Sequence, residues 1–570
     1  MLEKIGYTKC LIPSSSPLVQ SKSISIMTKT ILLLCIACYT FAGFSQSSKP
    51  KLVIGVVVDQ MRAEYLYRFQ ENYTENGFKK LIREGYNLKN THYNYIPTAT
   101  APGHTTIYTG TTPANHGIIG NSWYDRKSDK LIYCAEDFSV EEADYPLNRN
   151  AKNNAMYYAR SPKNLMVSTI TDEIKLASNG RAKVIGLSLK DRGAIFPAGH
   201  LADYAFWYDI RNGNFSTSSY YTSKLPSWLV DFNRRQIPDS LLNLTWEPFL
   251  PIERYTNSTA DNVSFEKIFK GNENSTFPYD LKGLRSQNGD FGMLMEVPFG
   301  NSLLTRMALT TIKEEKLGED AETDFLTISY SSTDYVGHTF GIRSMEIDDT
   351  YIRLDRELEG LLNYLDLHIG KENYLLFLTA DHGASDFPKY RQEKKLSGNF
   401  YDLGEIKKKL DAHLCIIFGE QPFIAHVDYT ELYLVNELEK REEILKEVGY
   451  YLSAMIDGIN EVFIPSLPTL TFRIENQKGL FENSHYNGRS GDVHFYFKPG
   501  WMAKKEYGTT HCNPWASDTH VPLLWYGNKI KIGSSVKKHT VTQIAATLSM
   551  LLDIPLPEAA DHQPMAELFR

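Results

Sequence analysis

The sequence predicts an α/β fold built on a mostly parallel central sheet with large insertions. Four short, β-branched apolar runs, at 52–58, 183–189, 325–331 and 374–379, read as buried strands. Each is followed by a polar or ionisable residue: Asp59, Lys190, Asp334 (three residues on) and Asp381. Helical patterns lie between them, at 77–84, 162–177, 344–367 and 541–552. Ligands of an open α/β sheet gather outside the carboxyl ends of its strands, so the four side chains are expected on one rim.

A chain of 570 residues with 42% hydrophobic and 12% aromatic content can bury a large core, in one large domain with insertions. The formal charge of -7 excludes a basic surface of the kind that holds nucleic acid without specificity, and no nucleic-acid-binding domain is expected. Affinity for an anion must come from a local site.

The segment 31–44 (ILLLCIACYTFAGF) follows Lys29 and precedes Ser45, Gln46, Ser47 and Ser48. It is too short for a membrane span and reads as the apolar part of a signal peptide covering 1–45. Met27 stands where such a peptide should begin, so 1–26 read as an over-extended start. The mature chain, 46–570, is expected in the periplasm or secreted, with no transmembrane helix. A lipoprotein acylated at Cys38 is the secondary reading; it is weakened by Cys35, which stands where Leu is usual. Cys134, Cys415 and Cys512 then remain, odd in number and far apart, which argues against a disulfide framework.

Two stretches read as insertions. The first, about 203–290, is rich in Asn, Ser, Tyr, Trp and Pro and weakly periodic. The second, about 389–499, is expected to hold a helix over 429–455 and then strands.

The chemistry-bearing residues sit at the strand ends. Asp334 and His338 are four apart in STDYVGH, Asp381 and His382 are adjacent in TADHG, and Asp59 closes the first strand in VVVDQM. A mixed Asp/His set without thiolate suits zinc or another borderline divalent metal. Any one of these could be a capping Asp or a surface His; three such signals on successive strand ends count against that. His511 in GTTHC supplies a further nitrogen, and Gly508 allows its loop a close approach. Thr100 in IPTATAPGHTT lies just ahead of a helix that Pro102 can start, where backbone N–H groups and the helix dipole favour a phosphate or an alkoxide. A plain N-cap is the bland reading, and Thr98 is a second nucleophile candidate on spacing. Lys190 and Arg192 in SLKDRG, two apart on a strand-like segment, point the same way and suit the extra charge of a phosphate monoester. Asn121 in IIGNSWYD can donate its amide to a phosphoryl oxygen, or serve only as a turn residue.

As an ordered set, VVVDQMR, TATAPGHTTIYTG, GNSWYD, SLKDR, STDYVGH, TADHG and GTTHCNPWASDTHVPLLWYG resemble the phosphate-irrepressible, PafA-type branch of the alkaline phosphatase superfamily, over about 51–556. The resemblance implies an alkaline-phosphatase-like three-layer sandwich and an exported monoesterase on small phosphorylated metabolites, expected to be monomeric. It implies two Zn2+ ions, one on Asp334, His338 and His511, the other among Asp59, Asp381, His382 and the nucleophile Thr100. Asn121, Lys190 and Arg192 would bind the non-bridging phosphate oxygens, and a phosphothreonine would form and hydrolyse. A phosphodiesterase or nucleotide pyrophosphatase on the same scaffold is the alternative, separated by Lys190 and Arg192; a non-catalytic phosphate- or metal-binding protein is the third. A sulfatase is excluded, since TATAPGH lacks the Cys or Ser with following Pro and Arg that it needs. One departure is Cys512, where a small residue such as Gly is expected.

Overall fold

Apolar β-branched residues make the middle of the molecule. In a computed structural model that describes residues 49–143, 160–468 and 478–569, nine strands form one sheet. They are β1 (Leu52–Val58), β2 (Tyr86–Leu88), β3 (Val184–Ser188), β4 (Tyr204–Asp209), β5 (Asn214–Ser216), β6 (Asp324–Tyr330), β7 (Tyr374–Thr379), β8 (Leu523–Gly527) and β9 (Gly533–Ser535). Their order is β9-β2-β8-β7-β1-β6-β3-β4-β5. β7, β1, β6, β3 and β4 run parallel, whereas β8 and β5 are antiparallel to their neighbours. Every residue of β1, β3, β6 and β7 is buried, the signature of a sheet covered on both faces.

Register decides where the chemistry falls. Val58 pairs with Tyr330, Val57 with Thr379 and Ser329 with Ser188, so β1, β6, β7 and β3 end together. The chain leaves that edge at Asp59, whose N–H donates to the Tyr330 carbonyl at 2.9 Å. Two of the flanking helices lie close on one face because the strands beneath them carry glycine. Gly55 and Gly186 both stand in register with Thr327 of β6. A Cβ on Gly55 would overlap the Tyr108 hydroxyl of α1 (Thr100–Thr109), and one on Gly186 the Ala194 carbonyl of α2 (Asp191–Ala198). Helices at 170–177 and 543–552 pack with these two, while those at 299–314, 345–368 and α3 (Ser332–Phe340) pack together with a 3-10 stretch at 290–296.

Several expected boundaries move. The helix expected over 162–177 is Ile170–Ala177, because Thr169 and Asp172 form a reciprocal capping box that starts it there. The helix expected over 429–455 is Arg441–Met455; the residues before it form the strand Glu431–Leu434, whose apolar side chains enter a sheet. That sheet has four strands, 424–428, 431–434, 493–497 and 459–463 in spatial order, and a hydrophobic core of its own drawn from the stretch 389–499 together with Trp501. The stretch 203–290 opens with β4 and β5, which extend the central sheet, and continues in short elements. The signal peptide expected over 1–45, with 1–26 and Cys38, lies outside the described residues. No helix among the described residues is long and apolar enough to cross a membrane. Cys134, Cys415 and Cys512 are free thiols.

Substituting Gly186 with Ala is expected to cost about 1–3 kcal/mol, because the added methyl meets helix backbone and not a movable side chain. Thermal unfolding against the parent checks it; an unchanged midpoint would mean that α2 does not rest on this contact.

Candidate active site

The strand ends bring two groups of ligand-type side chains to one edge. Asp59, Asp381 and His382 form one and Asp334, His338 and His511 the other, each with candidate ligand atoms within 4.8 Å of one another. His382 Nε2 lies 3.5 Å from Asp59 Oδ1 and 3.6 Å from Asp381 Oδ2. His338 Nε2 and His511 Nε2 lie 3.1 and 3.9 Å from Asp334 Oδ1. Ligand atoms around a tetrahedral zinc stand about 3.4 Å apart, so both sets fit that ion. The first set adds a second argument: Asp59 Oδ1, Asp381 Oδ2 and His382 Nε2 are all buried and have no hydrogen-bond partner. Buried polar atoms rarely go unsatisfied, and three of them clustered within ligand distance of one another make this a candidate cation site.

The imidazoles are oriented for that purpose. Nδ1 of His338 donates to the Thr509 carbonyl at 2.8 Å, Nδ1 of His511 to the Thr98 carbonyl at 2.6 Å, and Nδ1 of His382 to the Gly383 carbonyl at 2.9 Å. A proton fixed on each Nδ1 leaves each Nε2 as an electron-pair donor. Burial, ahead of the neighbouring histidines, holds His511 well below the ordinary imidazole range. The two groups are contiguous, since the rings of His382 and His511 stack at 3.6 Å.

Electrostatics tie them together. Lys190 Nζ sits 2.7 Å from Asp59 Oδ2 and 2.6 Å from Asp334 Oδ2. Burial disfavours its charge, yet Asp334 and Asp59 together raise the ammonium above its usual range. Burial and the charges of Asp334 and Asp381 push Asp59 well above the carboxylate range despite Lys190. Burial acts on Asp334 in the same sense, but His338 and Lys190 outweigh it and hold that carboxyl well below. One lysine therefore does not neutralise three clustered aspartates.

Thr100 is the first residue of α1, and Ala99, in extended conformation, is the N-cap. Thr98 and Thr100 are thus neither of them capping residues: the Thr98 hydroxyl donates to the Asn513 carbonyl at 3.3 Å, and Thr100 lies inside the first turn, 1% exposed. His104, one turn on, reaches the Thr100 carbonyl with Nδ1 at 2.8 Å and stands 3.4 Å from Asp381 Oδ2. A Cβ on Gly103 would overlap the Asp381 carbonyl. The first turn of α1, which carries Thr100, is thereby held against Asp381. Asn121 Oδ1 accepts from the Ala101 N–H at 2.9 Å, which fixes its amide beside the same turn and leaves the NH2 as donor.

Lys190 and Arg192 do not lie on a strand, as the alternation suggested. β3 stops at Ser188, Lys190 is the N-cap of α2, and Arg192 is its second residue. Both still line one cavity of about 520 Å³ with Tyr335, Trp207 and Met295.

Two residues escaped the sequence reading. Gln60 donates its N–H to Asp381 Oδ1 at 3.1 Å and its side-chain amide to Asp334 Oδ1 at 2.5 Å, spanning both groups from a left-handed backbone conformation (φ 64°). Its signal was a polar side chain directly after the strand-ending Asp59. His104 was visible as the histidine one helical turn after Thr100. Cys512 occupies a positive-φ position (φ 87°), which explains why glycine is expected there. Its sulfur lies 3.4 Å from Nδ1 of His511, on the ring edge opposite the ligand nitrogen, so the thiol stands apart from the cation site.

The description type I phosphodiesterase / nucleotide pyrophosphatase belongs to the family whose pattern matches residues 53–522. The chain is 41% identical over 542 residues to alkaline phosphatase PafA of Elizabethkingia meningoseptica, covering 91% of this chain and 94% of that protein. It is 40% identical over 532 residues to alkaline phosphatase PhoV of Synechococcus elongatus, covering 92% and 94%. The crystal structure of wild-type PafA superposes with a TM-score of 0.87 at 39% identity, covering 92% of this chain and all of that one.

Gly508 carries the loop of His511 over α3. Its φ is 73°, and a Cβ there would overlap the His338 carbonyl. Substituting Gly508 with Ala is expected to cost about 2 kcal/mol and to displace His338 and His511 together. Thermal unfolding with and without added Zn2+ checks it: the variant should gain less from zinc than the parent, and an equal gain would show that the loop does not set the ligand geometry.

Proposed function

The chain belongs to the type I phosphodiesterase / nucleotide pyrophosphatase family, among its PafA-type alkaline phosphatases, and we propose that it is an exported enzyme hydrolysing phosphate monoesters through a phosphothreonine on Thr100. The observation that carries this reading is the trio of buried, unpartnered atoms Asp59 Oδ1, Asp381 Oδ2 and His382 Nε2 beside the first turn of α1. Export is supported by the apolar segment 31–44.

Asp59, Asp381, His382 and Thr100 would hold one Zn2+ and Asp334, His338 and His511 the other. Zinc in such a pair favours the ionised threonine oxygen and neutralises developing negative charge on the departing oxygen. Thr100 Oγ1 gives up its proton and bonds to phosphorus while the ester P–O bond breaks and the alcohol departs. Water then cleaves the Oγ1–P bond, releasing phosphate and restoring the hydroxyl. Lys190 and Arg192 would bind the equatorial oxygens, where charge resides in a loose transition state, and Asn121 would donate its amide to one of them. A dianionic monoester presents one more charged oxygen than a diester, so two cations, Lys190 buried and Arg192 half-buried, favour the monoester. Small phosphorylated metabolites are the substrate class this implies.

Two outcomes test the reading. The purified mature protein should contain two Zn2+ per chain and turn over a phenyl phosphate faster than its methyl diester; a strong diester preference would overturn the monoesterase assignment. Substituting Thr100 with Ala should lower kcat by about a thousandfold or more at unchanged zinc content. Near-normal turnover by that variant would eliminate Thr100 as nucleophile.

A further inference from the structure

We infer that Tyr133, held in place by Asp191 and Arg160, is a positioning residue that aims the Arg192 guanidinium, and thereby sets the preference for monoesters over diesters. The inference rests on the proposed role of Arg192 as a phosphoryl ligand.

Tyr133 ends the strand Lys130–Tyr133, which pairs with Ser122–Asp125 in a hairpin that starts directly after Asn121. Its ring lies under the Arg160 guanidinium, 4.6 Å from ring centre to Cζ. Its hydroxyl donates to Asp191 Oδ1 at 2.5 Å. A phenol has one proton, so that bond leaves a lone pair, and Arg192 Nη1 donates into it at 3.1 Å. Asp191 is fixed in turn: Oδ1 also accepts the Arg192 backbone N–H at 2.7 Å, and Oδ2 accepts Arg160 Nε at 2.7 Å. The chain Arg160, Asp191, Tyr133, Arg192 is therefore continuous, with its donors converging on the Asp191 carboxylate from both ends.

Its effect is to hold one corner of the guanidinium and leave one edge. Arg192 Nε is buried and has no hydrogen-bond partner. A buried donor costs free energy when unpaired, and the Nε–Nη2 edge of arginine matches two oxygens of a phosphoryl group. With Nη1 tied to Tyr133, swinging of the planar guanidinium about the Cδ–Nε bond is restricted and that edge keeps one direction into the cavity shared with Lys190. The same hairpin carries Asn121 at its base, and the Cys134 N–H returns to the Asn121 carbonyl at 3.0 Å. Displacement of the hairpin would therefore move two proposed phosphoryl ligands together.

Tyr133→Phe keeps the ring under Arg160 and removes only the hydroxyl. Its kcat/KM on phenyl phosphate is expected to fall about tenfold, with the rate on the methyl diester within about twofold of the parent and with unchanged zinc content and melting temperature. In an Arg192→Ala background, Tyr133→Phe should have no further effect on either substrate. Equal losses on both substrates, or a further monoester loss in the Arg192→Ala background, would show a merely structural role and overturn the inference. If Arg192→Ala itself leaves the monoester-to-diester ratio unchanged, the reading of Arg192 fails and the inference with it. Asp191→Asn serves as the second variant: it weakens the anchor of Tyr133 without touching its hydroxyl, and should shift the ratio in the same direction by a smaller factor.

Discussion

Three carboxylates, those of Asp59, Asp334 and Asp381, are buried within reach of each other at the end of the central sheet, and the fold must keep them there against their mutual repulsion. Lys190 meets part of that demand by forming ion pairs with Asp59 and Asp334 at once. Buried pairs of this kind recover little beyond the cost of desolvating them, so the arrangement is poor value as a stabilising device. It makes sense as a receptor for positive charge. The unpartnered oxygens of Asp59 and Asp381, and the matching imidazole nitrogen of His382, mark where that charge belongs.

Everything around this cluster serves to fix directions. Backbone carbonyls of Thr98, Gly383 and Thr509 set the three imidazoles. Gln60 holds Asp334 and Asp381, His104 links Asp381 to the first turn of α1, and Asn121 is fastened to that turn through the Ala101 N–H. Glycines in β1 and β3 let the helices bearing Thr100 and Arg192 settle onto the strands below them. Precision at such a site comes from this support as much as from the ligands.

The parallel strands were legible because β-branched apolar runs are short and continuous when both faces are covered; 52–58 and 374–379 coincide with β1 and β7. The candidate residues were legible because they follow those runs. What could not be read is telling. The alternation of Lys190 and Arg192 mimics a strand, but the backbone has already turned into α2, where Lys190 caps and Arg192 sits inside the first turn. The run after Tyr429 carries helix-compatible spacing, yet it forms a strand that pairs on one side with the adjacent 424–428 and on the other with residues about sixty positions away, and that second pairing has no local pattern to encode it. Gln60 and His104 stand where local sequence could point to them, beside Asp59 and one turn after Thr100, but their importance lies in what they hold, and those partners are more than two hundred residues distant.

The span of the chain that the cluster draws upon has a consequence for how the protein comes into being. One ligand-type group unites residues 59, 381 and 382, and the other 334, 338 and 511. The first needs β1 and β7 paired, the second needs α3 and the segment leading into β8, and the two stand side by side only when all of these have been assembled; topologies built on contacts of such long range fold slowly. A polypeptide still emerging, or one cut short before residue 511, would carry most of the sheet and none of the finished chemistry. The complete pair of groups therefore requires the last tenth of the sequence to find its berth beside the first.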